Sequence, residues 1–223
     1  MRVVEIKNAL VGGFKHHHYS QFGEDVILGS MLRAPHGFYV DVGANHPWRY
    51  SNTALLYQRG WRGINIDPNT EAMQRFAQAR RRDTNLVCGV GASEGLLTYY
   101  RFSDPAVNTF SPTVAEKLRT KKWLVELPAQ TVPVFPLAKI LAEHVPPSTQ
   151  IDFMNVDVEG HDLEVLASND WARFAPTVIA VEDHAFDPEQ PHSSAICTYL
   201  HDHGYHLAAH VGPTIICIRK ETK

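Results

Sequence analysis

The chain has 223 residues, 44% of them hydrophobic, which is enough for one domain with a sizeable core. Its formal charge of −3 gives no electrostatic case for nucleic acid or an acidic membrane surface. No apolar run reaches membrane-spanning length, the N-terminus lacks a signal-peptide core, and Cys88, Cys197 and Cys217 form no Cys-x-x-Cys pair, so buried free thiols in a soluble, cytoplasmic protein are expected.

Residues 1–18 show little periodicity. His16, His17 and His18 cannot all face one metal on a regular element, which favours an exposed loop. Ser20 or Gly23 is expected to cap a helix through Met31 and Leu32, with Glu24 and Asp25 in its first turn. The segment Phe38-Tyr39-Val40-Asp41-Val42-Gly43-Ala44-Asn45 is an apolar run too short for a helix, ending in an acid and small residues. It reads as a buried parallel strand emptying into a tight loop, where ligands sit in open α/β sheets. Gly43 allows positive φ and close approach to the backbone there.

Ser51 or Asn52 is expected to cap a helix through Leu55, Leu56 and Tyr57 that stops at Gly60. A second strand ends in Asp67, and Pro68 and Asn69 open the next helix, whose solvated end carries Arg80-Arg81-Arg82. Leu86 to Val90 is a third strand and Leu96 to Phe102 a hairpin-like one. This β-α-β-α-β order is the first half of a doubly wound sheet. Seven prolines break up residues 103–150, with helices expected near 113–121 and 134–143, and such an insertion is expected to contribute substrate contacts. A strand from Ile151 then ends in Asp157-Val158-Glu159-Gly160, followed by a helix through Leu163 and Leu166. The strand from Thr177 ends in Glu182, Asp183 and His184. Pro191 to Asp202 is helical, and Gly204 to Ala209 and Thr214 to Arg219 are closing strands around Gly212-Pro213.

Four strands therefore end in carboxylates: Asp41, Asp67, Asp157, and Glu182 with Asp183. Asp67 lies one β-α-β unit beyond the glycine loop, where an acid meets ribose hydroxyls, so an adenosine-bearing ligand is expected. Asn45 and Trp48 stand where a dinucleotide loop would carry its second and third glycines, which suits a cofactor without pyrophosphate. S-adenosylmethionine meets that description, and carboxylates favour its cationic sulfonium. The alternatives are a nicotinamide-dependent oxidoreductase, disfavoured by the missing glycines, and a non-catalytic adenosine- or carbohydrate-binding module.

Ser20-Gln21-Phe22-Gly23-Glu24-Asp25, Phe38 to Asn45, Ser51-Asn52-Thr53, Gly60 to Pro68, and Asp157 to Leu166 together resemble the FkbM-type methyltransferases. The resemblance runs from Ser20 to Asp183. It implies an α/β class I methyltransferase (Rossmann-like) fold, a three-layer sandwich in a single domain spanning 1–223. Its seven-stranded, mostly parallel sheet would have the order 3-2-1-4-5-7-6 and an antiparallel last strand. It implies S-adenosylmethionine as methyl donor and O-methylation of a hydroxyl on a sugar or a glycosylated or hydroxylated metabolite. Carried over residue by residue, Asp41, Gly43 and Asn45 flank the methionine part and ribose, and Asp67 holds the ribose hydroxyls. Cys88 and Gly89 border the adenine edge, and Ser20 and Gln21, in an N-terminal segment 1–33, cover the cofactor. His46-Pro47 replaces the glycine-containing loop common in that family.

Methyl transfer needs oxygen, methyl and sulfur held near-collinear in a dry site, and an unactivated alcohol must also lose a proton. Asp157, Glu182 and Asp183 end neighbouring strands and are expected to bind Mg²⁺, which carboxylate and water oxygens suit. That arrangement is similar to the divalent-metal site of macrolide sugar O-methyltransferases. Asp157 is expected beside the methyl, and His161, one turn further on, is the expected base. Glu159 and His184 are reserves for either role. Without a metal, these acids cap helices or bind substrate hydroxyls directly. The expected partners are a small-molecule or glycan acceptor, with no nucleic acid and no membrane; a homo-oligomer stays open.

Overall fold

Strands covered on both faces must be apolar on both, and such runs dominate the centre of this chain. A computed structural model describes residues 18–220. Helix α1 (Glu24–Met31) leads to β1 (Phe38–Val42), α2 (Ala54–Gln58), β2 (Arg62–Asp67), α3 (Thr70–Ala79), β3 (Thr84–Val87), β4 (Gly89–Val90) and β5 (Gly95–Phe102). After a short 3-10 turn come α4 (Pro112–Arg119), β6 (Glu126–Phe135), α5 (Leu137–His144), β7 (Phe153–Val156), α6 (Asp162–Ala167) and β8 (Val178–Glu182). The chain closes with α7 (Ala195–Asp202), β9 (Tyr205–Val211) and β10 (Thr214–Arg219).

The main sheet has seven strands in the order β3-β2-β1-β7-β8-β10-β9, the topology expected from the resemblance. β10 runs antiparallel to both of its neighbours, β8 and β9. Alternation along the strands separates two cores. Val40, Val42, Ile64, Ile66, Met154, Val156, Ile179 and Val181 face the side covered by α5, α6 and α7. Tyr39, Phe153 and Ala180 face the opposite side, against Leu28 of α1, Leu56 of α2 and Trp61. Helices thus pack on both faces, giving three layers.

Several local expectations are corrected. The strand expected over Leu86–Val90 breaks at Cys88, because Gly89 and Val90 leave the main sheet to pair with Val134 and Phe135. This builds a second, three-stranded sheet in the order β4-β6-β5. Its long strand β6 runs where prolines suggested only short pieces. The two-residue β4 covers β6 only at its end, so along most of β6 one edge is free of sheet partners and Pro128 and Pro133 interrupt little pairing. The helix expected near 134–143 accordingly begins at Leu137. The residue preceding α2 is Thr53 rather than Ser51 or Asn52. Gly23 precedes α1 in a left-handed conformation, with no side-chain cap. In the 191–202 segment a 3-10 turn precedes α7, which Ser194 caps through Cys197 N–H.

Of the run Arg80-Arg81-Arg82, Arg81 and Arg82 are exposed at the helix end as the sequence suggests, but Arg80 is not. Arg80 is fully buried. Its guanidinium donates to Pro47 O, Ser51 Oγ and Thr53 Oγ1, and lies over the rings of Phe76, Tyr57 and Trp48. His16 and His17 lie outside the described residues. Cys88, Cys197 and Cys217 are free and buried. Among the described residues, no helix is long and apolar enough to cross a membrane.

Candidate active site

The carboxyl ends of β1, β7 and β8 open into a cavity of about 580 Å³. β1 sits between β2 and β7, with Asp41 level with Asn65 on one side and Asn155 on the other. Burial of its carboxylate demands partners. Thr53 Oγ1 donates to Asp41 Oδ2 at 2.6 Å and Asn155 Nδ2 to Oδ1 at 3.0 Å, while Asn52 Nδ2 donates on to Asn155 Oδ1. Burial still raises the Asp41 pKa, partly offset by Thr53, Arg80 and Asn155.

The loop after β1 is shaped for close approach. Gly43 has φ 80° and lies so near the next strand that a Cβ would sit 1.7 Å from Asp157 O. Asn45 takes φ 50°, a left-handed conformation that asparagine tolerates better than most residues. Its N–H donates to Asp67 Oδ2 at 2.9 Å, and Asn69 N–H donates to Asp67 Oδ1 at 2.7 Å. Burial pushes the Asp67 carboxyl up to about 6 despite these bonds. A smaller recess of about 40 Å³ continues past Gly43 and Asn45 to Asp67, Tyr99 and Phe110. The following turn is set by His46, whose Nδ1 accepts from the N–H groups of Trp48 and Arg49. Burial and neighbouring arginines lower its pKa, which keeps that nitrogen an acceptor.

Across the cavity, the loop after β7 is folded back by its own acid. Asp162 accepts from Val158 N–H and Gly160 N–H. Glu159 and Gly160 both take positive φ, 54° and 97°. This turns Glu159 into the cavity beside Asp157 and Glu182. Crowding has an electrostatic consequence. Burial, then Glu182, Asp162 and Asp104, push the Glu159 carboxyl up to about 8. Burial and the nearby acids, Glu182 first, also raise the pKa of Asp157. Glu182 Oε2 is buried without a hydrogen-bond donor and lies 3.3 Å from His184 Nε2.

Gln21, Asp41, Gly43, Asn45, Asp157, Glu159 and Glu182 of the expected site all line this cavity. Asp183 does not. Its carboxylate accepts from Ser194 Oγ and Ala185 N–H, latching the end of β8 to the start of α7. The ligand atoms that approach one another within 4.8 Å belong instead to Glu159, Glu182 and His184. His161 also lies away from the cavity, with Nε2 3.6 Å from Glu164 and its ring against Phe110. Ser20 is buried and exchanges hydrogen bonds with Asp25, closing the turn into α1. Cys88 borders a separate hollow beside Pro68 and Thr70, and Gly89 lies under Phe110, one wall of the recess.

Two contributors went unrecognised in the sequence: Arg80, and Glu24, which is buried yet lines the cavity. The 103–150 insertion, expected to contribute contacts, places Asp104, Leu118 and Trp123 in the lining. Glu24 lies within the Ser20–Asp25 motif of the resemblance, which was a usable signal. Nothing local marked Arg80.

The family model described as Methyltransferase FkbM domain matches residues 41–207. No curated protein matches the chain.

Proposed function

The chain belongs to the FkbM methyltransferase family, and from that premise we propose that it is an S-adenosylmethionine-dependent O-methyltransferase acting on a sugar or hydroxylated-metabolite hydroxyl. Family membership sets aside the nicotinamide-dependent oxidoreductase. The observation that carries the reading is that an acid-backed recess at Asp67 and a carboxylate-rich cavity share Gly43, Asn45, Asp157 and Glu159 in their walls.

The residues present fit the donor. Gly43 lets the end of β1 pack directly on the Asp157 carbonyl, which brings the loops after β1 and β7 together along the cavity. Asp67 has one protein donor on each oxygen, leaving further lone pairs for a ribose diol. The acids at the ends of β7 and β8 favour a cationic sulfonium. Bound S-adenosylmethionine supplies an electrophilic methyl, and the acceptor oxygen takes it as the carbon–sulfur bond breaks.

The chain's own work is placement and proton removal. Glu159 is the proposed base, since it faces the cavity and its carboxyl is held at about 8. It takes the hydroxyl proton as the carbon–oxygen bond forms. Asp157 and Glu182 orient the hydroxyl from the neighbouring strand ends. Gln21 and Phe22, before α1, help exclude water.

A second reading rests on the buried, donor-less Glu182 Oε2. A divalent cation such as Mg²⁺ or Mn²⁺ would be held by Glu159, Glu182 and His184 and would acidify the hydroxyl. Transfer of labelled methyl from S-adenosylmethionine to a panel of hydroxylated acceptors tests the proposed activity. A labelled product supports it, and no transfer to any sugar or hydroxylated metabolite counts against it.

A further inference from the structure

Three large aromatic side chains are left exposed at the cavity: Phe22, Tyr50 and Trp123, at 52%, 49% and 65% exposure. They come from three separate segments, before α1, after β1 and after α4, yet all line the same 580 Å³ space. Exposed aromatics gathered in a concavity mark a binding surface more often than chance placement. Tyr50 adds an independent sign, because a bulky residue is held at φ 57°. Such backbone strain persists where the surroundings enforce it, commonly at ligand clamps.

The charge around these rings is one-sided. Glu24, Asp41, Asp104, Asp157, Glu159 and Glu182 line the cavity, and among the described residues no lysine or arginine does. Its basic lining side chain, His184, lies against Glu182. Arg49, near the mouth, is turned onto the Tyr50 ring at 4.9 Å and toward Asp104 at 4.0 Å. Inside the cavity an anionic acceptor would meet carboxyl groups with no lysine or arginine in the walls to receive it, since Arg49 at the mouth is turned to Asp104. Hydroxyl groups would meet acceptors for their protons, and an ammonium group would be attracted.

We infer that Phe22, Tyr50 and Trp123 form the acceptor platform, and that the acceptor is a neutral or cationic ring-form polyol. Unphosphorylated glycosides and amino glycosides fit, whereas sugar phosphates, sugar nucleotides and uronates do not. The rings take the C–H face of the sugar while the carboxyl floor takes its hydroxyls. This rests on the O-methyltransferase reading only for the identity of the site.

The test is saturation-transfer NMR on the full chain loaded with S-adenosylhomocysteine, using methyl hexosides, their 2-amino analogues and their 6-phosphates. Neutral and amino glycosides should bind, with the phosphates weaker by roughly tenfold or more. Trp123→Ala should weaken glycoside binding at least about threefold while leaving S-adenosylhomocysteine affinity unchanged. Equal binding of the phosphates, indifference to Trp123→Ala, or no glycoside binding would overturn the inference. Binding in the expected charge order without methyl transfer would uphold the platform and overturn the O-methyltransferase reading instead.

Discussion

Asp41 and Arg80 are joined through a single hydroxyl: Thr53 Oγ1 donates to Asp41 at 2.6 Å and accepts from Arg80 Nη1 at 2.6 Å. A buried carboxylate at a strand end and a buried guanidinium at a helix end are thereby paired without contact. The same guanidinium grips Pro47 and Ser51, so the loop between β1 and α2 is fixed by a group 33 residues from Pro47.

Arg80→Met should therefore strip the compensating charge from Asp41 and release that loop. Removing one member of a buried charged pair costs about 3–5 kcal/mol. Urea unfolding at neutral pH should show a loss of that order. A loss within about 1 kcal/mol would mean that the aromatic packing around Arg80, not its hydrogen bonds, holds the loop.

Glu159→Gln keeps the shape of the proposed base and removes its basicity. Turnover should fall by about 10²–10⁴-fold, the usual contribution of a positioned base, while S-adenosylhomocysteine binding persists. His161→Ala should change turnover little, because that ring faces Glu164 and Phe110 rather than the cavity. The opposite ranking would restore His161 to the chemistry.

Excess EDTA separates the two readings of the acid cluster. With Glu159 as base, turnover is unchanged by chelation. Loss of activity, recovered by Mg²⁺ or Mn²⁺ and abolished in Glu182→Ala and His184→Ala, would establish a cation at Glu159, Glu182 and His184.

Asp67 and Asp162 both have carboxyls pushed up to about 6 by burial, from an ordinary value of 3.8. The folded state binds these protons more tightly than the unfolded chain. Their stabilising contribution is complete below about pH 4 and is lost as pH rises through 6. Thermal unfolding between pH 4 and 8 should show a shallower decline for Asp67→Asn than for the wild type. Each kcal/mol is worth roughly 2–4 °C in a chain of this size. Parallel curves for the two proteins would show that Asp67 titrates normally.

The strands were legible because runs buried on both faces, such as Phe38–Val42, are largely apolar and those of β1, β2, β7 and β8 reach a conspicuous acid, whereas their order came only from the resemblance. β6 was not, since Pro128 and Pro133 forbid a central strand and only the brevity of β4 makes them tolerable. Which of several adjacent acids faces the cavity was equally hidden. Ser194, eleven residues on, takes Asp183 out of the site, and His184 joins Glu182 instead. His161 reads as one turn beyond Asp157, but consecutive left-handed residues at Glu159 and Gly160 reverse the chain before it. Arg80 illustrates the same limit, because a helix-end arginine looks solvated until the loop that buries it is placed.

Titration calorimetry of S-adenosylhomocysteine into the wild type and Asp67→Asn tests the donor site most directly. One binding site per chain is predicted, weakened at least about tenfold in Asp67→Asn by loss of the ribose contacts. No binding to the wild type, or equal affinity in the two proteins, would contradict the placement of the methyl donor at the ends of β1, β2 and β7.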